Sequence, residues 1–455
     1  MKLLVLSNGH GEDTIALRIL QALQQHPRTP EIAALPIVGE GHAYAQNGIP
    51  IVGSVKSMPS GGFIYRDGRQ LARDLQGGLL RLTLAQLKTI RAWAKSGGSV
   101  LAVGDIVPLL FAWFSGAPYA FVGTAKSEYY LRDEAGWLPR RSWFDRFEGW
   151  SGSDYLPWER WLMSRPRCKA VFPRDSLTTT TLKQWSIPAF DLGNPMMDGL
   201  GLEEDARSSA NLSETTVGLQ SKIQNPLAEG RGALSKIEPY AVPPAYDTLT
   251  IVLLPGSRPP EVYQNWELIL LAVAGIMTLF RRRSLRFLAA IAPGIPLDSL
   301  HKILLDQGWH LQSDKLQADF AAAPSNLSYP SSNIQFAQKN ATLIVTQQSF
   351  GQCLQAADLA IAMAGTATEQ FVGLGKPAIT IPGKGPQFTP AFAEAQTRLL
   401  GASVTLVKHP DQVALTIQKM LSNPDQLQII AENGRRRLGS PGAAIRIANQ
   451  LMQAF

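Results

Sequence analysis

Residues 2–7 form a short apolar run that leads straight into Asn8-Gly9-His10-Gly11-Glu12-Asp13, after which Ile15, Ala16, Ile19, Leu20 and Leu23 recur at helical spacing. An apolar run without alternation belongs to a strand buried on both faces, which means a parallel sheet covered by helices. Strand, tight glycine turn and helix together open a doubly wound α/β domain. The pattern repeats. Strand-like runs lie near 32–37, 49–53, 100–103, 119–123, 169–172 and 188–192, and a long basic amphipathic helix is expected over about 69–95. Residues 203–247 interrupt it with Glu-Glu-Asp, Ser-Ser, Thr-Thr, several Gly and Pro and few large apolar side chains, so they read as an insertion or linker. A second α/β series follows. Its strands fall near 248–254, 286–291, 334–337, 342–346, 358–363, 378–382 and 403–407, its helices at 261–281, 351–357, 366–374 and 411–421, and helical segments near 424–437 and 442–454 end the chain. The expected organisation is an α/β domain over 1–202, a linker over 203–247, a second α/β domain over 248–435, and a terminal helix over 436–455 that packs back on the first domain. Two such halves in tandem leave a cleft, where ligands usually collect.

Composition narrows the chemistry. Of 455 residues, 45% are hydrophobic and 17% charged, which supplies a sizeable core and excludes a disordered chain. The two cysteines, Cys168 and Cys353, build neither a disulfide framework nor a cysteine zinc site. The histidines are scattered, so no metal is expected. A net charge of +7 favours polyanionic partners: nucleic acid, an anionic membrane surface or phosphorylated substrates. The first residues are too short an apolar run for a signal peptide, and no stretch of about 20 apolar residues promises a span. The expected place is the cytoplasm, peripheral on the inner face of the membrane.

Five segments carry possible chemistry. Leu253-Leu254-Pro255-Gly256-Ser257-Arg258 ends a strand in a glycine turn with a fixed cation, and a helix starts just beyond. Bare backbone N–H groups, a helix N-terminus and a guanidinium make a phosphate cradle, although an ordinary strand-to-helix turn uses the same residues. The segment from Ala362 to Gln370 places Gly365 and Thr366 at a helix start, where small side chains admit a diphosphate; tight packing is the alternative. In the first loop, Gly9-His10-Gly11 lacks the third glycine of a dinucleotide fingerprint. His10 is either a general base or a satisfied loop histidine. Asp105 follows the apolar strand Leu101-Ala102-Val103-Gly104, at the sheet edge where ligands bind, as a base or as a helix cap. Finally, Trp137, Trp143, Trp150, Trp158 and Trp161 lie among Arg140, Arg141, Arg146, Arg160, Arg165, Arg167 and Lys169. Tryptophan with arginine suits a membrane interface, and a core with solvated arginines is the alternative. No nucleic-acid motif accompanies them.

Taken together, these motifs resemble lipid-A-disaccharide synthase and, more loosely, other GT-B glycosyltransferases that use UDP-sugars. Residues 253–258 with Glu261-Val262 look like that family's nucleotide-domain signature, and Gly365-Thr366-Ala367-Thr368 with Lys376-Pro377 like its second one. Residues 187–198 resemble the segment closing its N-terminal domain, and Gly104-Asp105 with Pro108 its acidic motif. The first loop departs from the family's Gly-Glu-x-Ser-Gly-Asp, and Gln370 replaces an acidic residue, with Glu369 one position early. The chain therefore looks most like a divergent, synthase-related branch. The resemblance implies a GT-B fold of two doubly wound domains facing across a cleft. It implies a metal-independent, cofactor-free inverting transfer from a UDP-sugar to a lipid or lipid-linked acceptor. On that reading Gly256, Ser257, Arg258, Gly365 and Thr366 face the diphosphate and Glu369 or Gln370 the ribose. Gln387 lies near the sugar, and Asp105 or His10 is the base. Trp143 and Trp150 dock an anionic leaflet. The rival readings are a UDP-sugar 2-epimerase and a non-catalytic membrane-associated scaffold.

Overall fold

A computed structural model describes residues 1–56, 78–139, 149–200, 248–312 and 333–455. The inserted stretch 203–247, the first part of the expected basic helix and Trp143 lie outside the described residues. The chain divides into two compact units, Met1–Asp198 with Arg437–Phe455, and Gly199–Arg436.

In the first unit five parallel strands, β1 (Lys2–Ser7), β2 (Glu31–Pro36), β3 (Ser99–Gly104), β4 (Tyr119–Gly123) and β7 (Cys168–Phe172), stand in the order β2-β1-β3-β4-β7. Two-residue strands β5 (Arg132–Asp133) and β6 (Gly136–Trp137) form a separate antiparallel pair. The helices are α1 (His10–Gln24), α2 (His42–Gln46), α3 (Leu79–Lys95), α4 (Ile106–Ser115), α5 (Pro157–Met163), α6 (Ser176–Lys183) and, from the chain's end, the last helix (Ala443–Ala454). Alternate residues of β1 feed opposite faces: Leu4 and Leu6 enter one core cluster, Leu3 and Val5 the other. Both faces are covered, which is why the strand shows no polar alternation. The last helix contributes Ile447, Ala448 and Leu451 to the cluster that holds Ile15, Ile19 and Leu23 of α1.

Two expected strands of this unit shrink. Residues 49–53 and 188–192 each keep a single parallel bridge, Ala34 to Ile51 and Val171 to Ala189. Pro50 and Pro188 sit beside the bridging residues and lack an N–H, so a regular ladder cannot propagate there.

Among the described residues the second unit holds eight strands: β8 (Leu249–Leu254), β9 (Leu285–Ala290), β10 (His310–Leu311), β11 (Ile334–Gln338), β12 (Ala341–Thr346), β13 (Leu359–Ala362), β14 (Ala378–Thr380) and β15 (Val404–Leu406). Their order is β10-β11-β12-β9-β8-β13-β14-β15. The run near 334–337, expected within the parallel series, is instead antiparallel to β12, because only the turn at Lys339-Asn340 separates the two strands. The helices are α7 (Glu261–Leu279), α8 (Asp298–Asp306), α9 (Phe350–Ala356), α10 (Thr366–Gly373), α11 (Pro390–Leu400), α12 (Gln412–Leu421) and α13 (Pro424–Leu438); the helix Ala443–Ala454 is α14. By length and composition α7 could cross a bilayer. It is a core helix instead: Val262, Trp266, Ile269, Val273 and Ile276 are buried in the unit's hydrophobic cluster.

Setting aside the antiparallel pairings of β10 and β11, the parallel strands of each sheet reverse their order once. In the first unit the chain winds outward from β1 to β2, then returns to the other side of β1 at β3. In the second it winds from β8 through β9 to β12, then returns beside β8 at β13. Open α/β sheets bind ligands at the carboxyl ends of the strands flanking such a reversal.

Candidate functional site

In the second unit, the loops after β8 and β13 meet at the reversal. The Met363 N–H donates to the Leu254 carbonyl at 2.8 Å, tying the two strand ends together. Gly256 sits at φ +100°, where a side chain is strained, and a Cβ there would also crowd the Met363 carbonyl oxygen at 3.2 Å. Ser257 is exposed and Arg258 half-buried, with the Arg258 carbonyl accepting the Val262 N–H at 2.9 Å to start α7. Gly365 precedes α10, whose first residue, Thr366, is exposed. These residues present the backbone and positive helix end suited to an anion. Glu369 and Gln370 lie within the same helix and are buried.

Three side chains hold these loops in place. Asn265 donates from Nδ2 to the Pro255 carbonyl at 3.0 Å. One turn earlier on α7, Glu261 Oε1 accepts the backbone N–H groups of Gln387 at 3.3 Å and Phe388 at 2.6 Å. A Cβ at Gly385 would lie 2.4 Å from the Glu261 side chain, so glycine is required for that loop to close over the carboxylate. Gln396 on α11 donates from Nε2 to the Ala364 and Gly365 carbonyls at 3.0 and 3.3 Å. Lys376 takes a different place. Its ammonium donates to the Leu354, Gln355 and Ala357 carbonyls at the end of α9, and burial pushes its pKa down to about 8. It caps a helix. Asn265 and Gln396 escaped sequence reading, although a polar residue amid the apolar face of α7 was a visible signal.

In the first unit, Asp105 ends β3 and caps α4: Oδ1 accepts the Val107 N–H at 2.8 Å, and Oδ2 accepts from Asn8 Nδ2 at 3.4 Å across the reversal. Both sequence-stated roles therefore remain compatible with one carboxylate, held at the sheet edge by the cap. His10 is the first residue of α1, and its side chain lies outside the described residues. Glu12, one residue into the same turn beyond Gly11, was not singled out from the sequence. Its Oε1 accepts from Thr124 Oγ1 at 3.1 Å, and its carboxyl lies 3.1 Å from where a Cβ of Gly104 would be. Burial, then the negative charge of Asp105, push the Glu12 pKa from 4.5 up to about 7. Burial also raises Asp105, opposed by the hydrogen bond from Val107 and by Lys126. Neighbouring Asp13 is structural: it accepts from Ser7 Oγ at 2.6 Å, which in turn accepts from Tyr44.

The described tryptophans of the tryptophan-rich stretch do not form a core. Trp137, Trp150, Trp158 and Trp161 are exposed, Trp150 by 61%. Trp161 on α5 packs edge-on against Trp113 of α4 at 5.4 Å, with the Arg165 guanidinium 4.4 Å over its ring. Phe114 is exposed beside them, and its carbonyl accepts from Arg91 on α3 at 3.3 Å. Leu80 and Leu84 of α3 are 66% and 69% exposed, with Arg81, Lys88 and Lys95 also outward. Exposed apolar side chains and cations thus stand together on α3, α4 and α5, helices that pack against one another in that order. Of the two expected docking tryptophans, Trp150 is exposed and Trp143 lies outside the described residues; the exposed leucines and cations of α3 were not part of the expectation.

No protein-family model and no curated protein sequence matches the chain. Solved structures do. MnaA of S. aureus with UDP is similar at 12% identity and a TM-score of 0.53, covering 100% of this chain and 98% of that one. A UDP-N-acetylglucosamine 2-epimerase is similar at 12% identity and 0.51, covering 100% and 96%. The UDP-GlcNAc 2-epimerase of Neisseria meningitidis, bound to UDP-GlcNAc, is similar at 14% identity and 0.50, covering all of both chains. These likenesses show the fold, a GT-B architecture of two Rossmann-like units.

Proposed function

We propose that the protein is a UDP-sugar-dependent glycosyltransferase acting on a lipid or lipid-linked acceptor, with the donor on the second unit and the acceptor on the first. The diphosphate sits against Gly256, Ser257, Gly365 and Thr366, with Arg258 supplying the charge that holds it and stabilises it as a leaving group. Glu369 or Gln370 receives the ribose and Gln387 the sugar. The solved structures with UDP and UDP-GlcNAc support a UDP-sugar in this fold.

The observation that carries the choice of a lipid acceptor is the exposed face of Leu80, Leu84, Phe114, Trp158 and Trp161 among Arg81, Lys88, Arg91 and Arg165. Apolar side chains insert at the headgroup level while cations meet anionic lipid, which keeps the protein peripheral on the leaflet where its acceptor resides. A sugar-nucleotide epimerase works on a water-soluble substrate and has no use for such a face. The epimerase is nonetheless the second reading, because the similar structures described above include UDP-GlcNAc 2-epimerases.

The two readings differ in their products. The full chain is incubated with UDP-glucose, UDP-galactose and UDP-N-acetylglucosamine in deuterated water, with and without vesicles of membrane lipid extract. Transfer predicts UDP release that requires the vesicles and sugar recovered in the lipid fraction. A C2 epimer carrying deuterium, formed without any lipid, establishes the epimerase instead.

A further inference from the structure

Two carboxyls meet at the reversal point of the first sheet, but they are held differently. Asp105 has both oxygens engaged, one by the Val107 N–H of the helix it caps and one by Asn8. Capping needs it as an acceptor, so gaining a proton on either oxygen costs it one of those bonds. Glu12 has one hydroxyl donor, Thr124, among the described residues. It leans on Gly104, which offers no side chain, and is only half-buried, so a ligand at the strand ends can reach its second oxygen.

We infer that Glu12 is the catalytic base of this site, taking the proton from the acceptor hydroxyl, and that Asp105, held beside it at the end of β3, is a positioning residue. The inference rests on the transferase reading. The acceptor O–H bond breaks and its proton passes to a Glu12 oxygen. The freed electron pair forms the bond to the anomeric carbon, and the bond from that carbon to the diphosphate oxygen breaks with its pair leaving on UDP. Glu12 then returns the proton to solvent.

The charged and titratable groups around Glu12 are consistent with this. Asp105 faces it from the end of β3, Asp13 adjoins it on α1, and Tyr44 of α2 lies near both. Lys126, beyond β4, acts on Asp105 but is held by Glu159 and the Asp154 carbonyl. No cation forms an ion pair with Glu12 among the described residues. His10 opens the same helix. Repulsion and burial bring the carboxyl's pKa to about 7, where a general base is most effective at neutral pH.

The test uses the full chain, UDP release from the three UDP-sugars with lipid-extract vesicles, and the variants Glu12→Gln and Asp105→Asn. Glu12→Gln keeps the side chain's shape and its bond from Thr124. It should lower turnover about 100-fold or more while UDP affinity, measured separately, stays at the wild-type value. In wild type the rate should climb with pH to a plateau above 7. Asp105→Asn should move that climb down by roughly one pH unit, since a like charge is gone; a merely structural role for Asp105 leaves it in place. Turnover within threefold of wild type in Glu12→Gln overturns the inference, as does an unmoved pH profile in Asp105→Asn. Should Glu12→Gln unfold, a carboxyl-carbon NMR titration of the wild type decides: a Glu12 resonance titrating near 4.5 also overturns it. A wild type that binds UDP and makes no transfer product is a different failure, that of the transferase reading itself.

Discussion

Glu12 and Asp105 show what one residue's neighbours add to its sequence. Asp105 was legible because an acidic residue directly after an apolar strand lands at the binding edge of a parallel sheet whatever else the chain does. Glu12 was not, because an acid in the first turn of a helix is common and favourable on any surface. Its special position depends on Gly104 and Thr124, which lie about 90 and 110 residues away and adjoin it only through the order β1-β3-β4. Its ionisation also affects stability. Unfolded, Glu12 releases its proton near pH 4.5; folded, near 7. Between those values the folded chain binds a proton that the unfolded chain has lost, so stability falls as pH rises through the window. Glu12→Gln removes that slope. Its melting temperature relative to wild type should therefore rise between pH 5 and pH 8, the pattern of a functional residue held at a cost to the fold. Curves for the two proteins that stay parallel across this range contradict the assignment.

Elements were legible wherever hydrophobic pattern and local stereochemistry agreed. β1, β3, β8 and β13 were each marked by unalternating apolar runs and emerged nearly as read. The failures have local causes: Pro50 and Pro188 reduce two strands to bridges, and the short turn before β12 turns β11 antiparallel. The return of α14 to the first unit depends on one carboxylate. Asp198, 3% exposed, accepts the N–H groups of Gly442, Ala443 and Ala444 at 2.6, 3.2 and 2.7 Å. An anion there satisfies three donors at a helix start and meets the positive end of the helix. Asp198→Ala strands those donors and should destabilise the first unit by about 2–4 kcal/mol, read as a lower urea midpoint. Asp198→Asn, which still accepts hydrogen bonds, should cost less than half as much. Equal losses in the two variants would mean that the packing of Ile447 and Leu451, not the cap, fixes the helix.

At the scale of the whole molecule, each unit places its candidate residues at the one point where its sheet reverses. That is why motifs far apart in sequence, 253–258 and 362–370, converge, and why their order and spacing carried so much of the fold. What sequence left open was the surface, since exposure of a tryptophan is settled by tertiary packing. The proposed membrane association rests on that surface and is tested by flotation. The full chain should rise with phosphatidylglycerol vesicles and detach as salt screens its cations. Exchanging Leu84, Trp158 and Trp161 for Ser should abolish flotation at an unchanged melting temperature, and flotation that persists places the contact elsewhere. On the proposed function the second unit binds the diphosphate of a UDP-sugar through the loops at β8 and β13. Calorimetric titration of UDP tests it most directly. One UDP should bind per chain, Arg258→Ala should weaken it at least about tenfold through the loss of charge-assisted hydrogen bonds, and Glu12→Gln should leave it unchanged. Absence of binding to the wild type, or full affinity in a folded Arg258→Ala variant, would rule out this donor site.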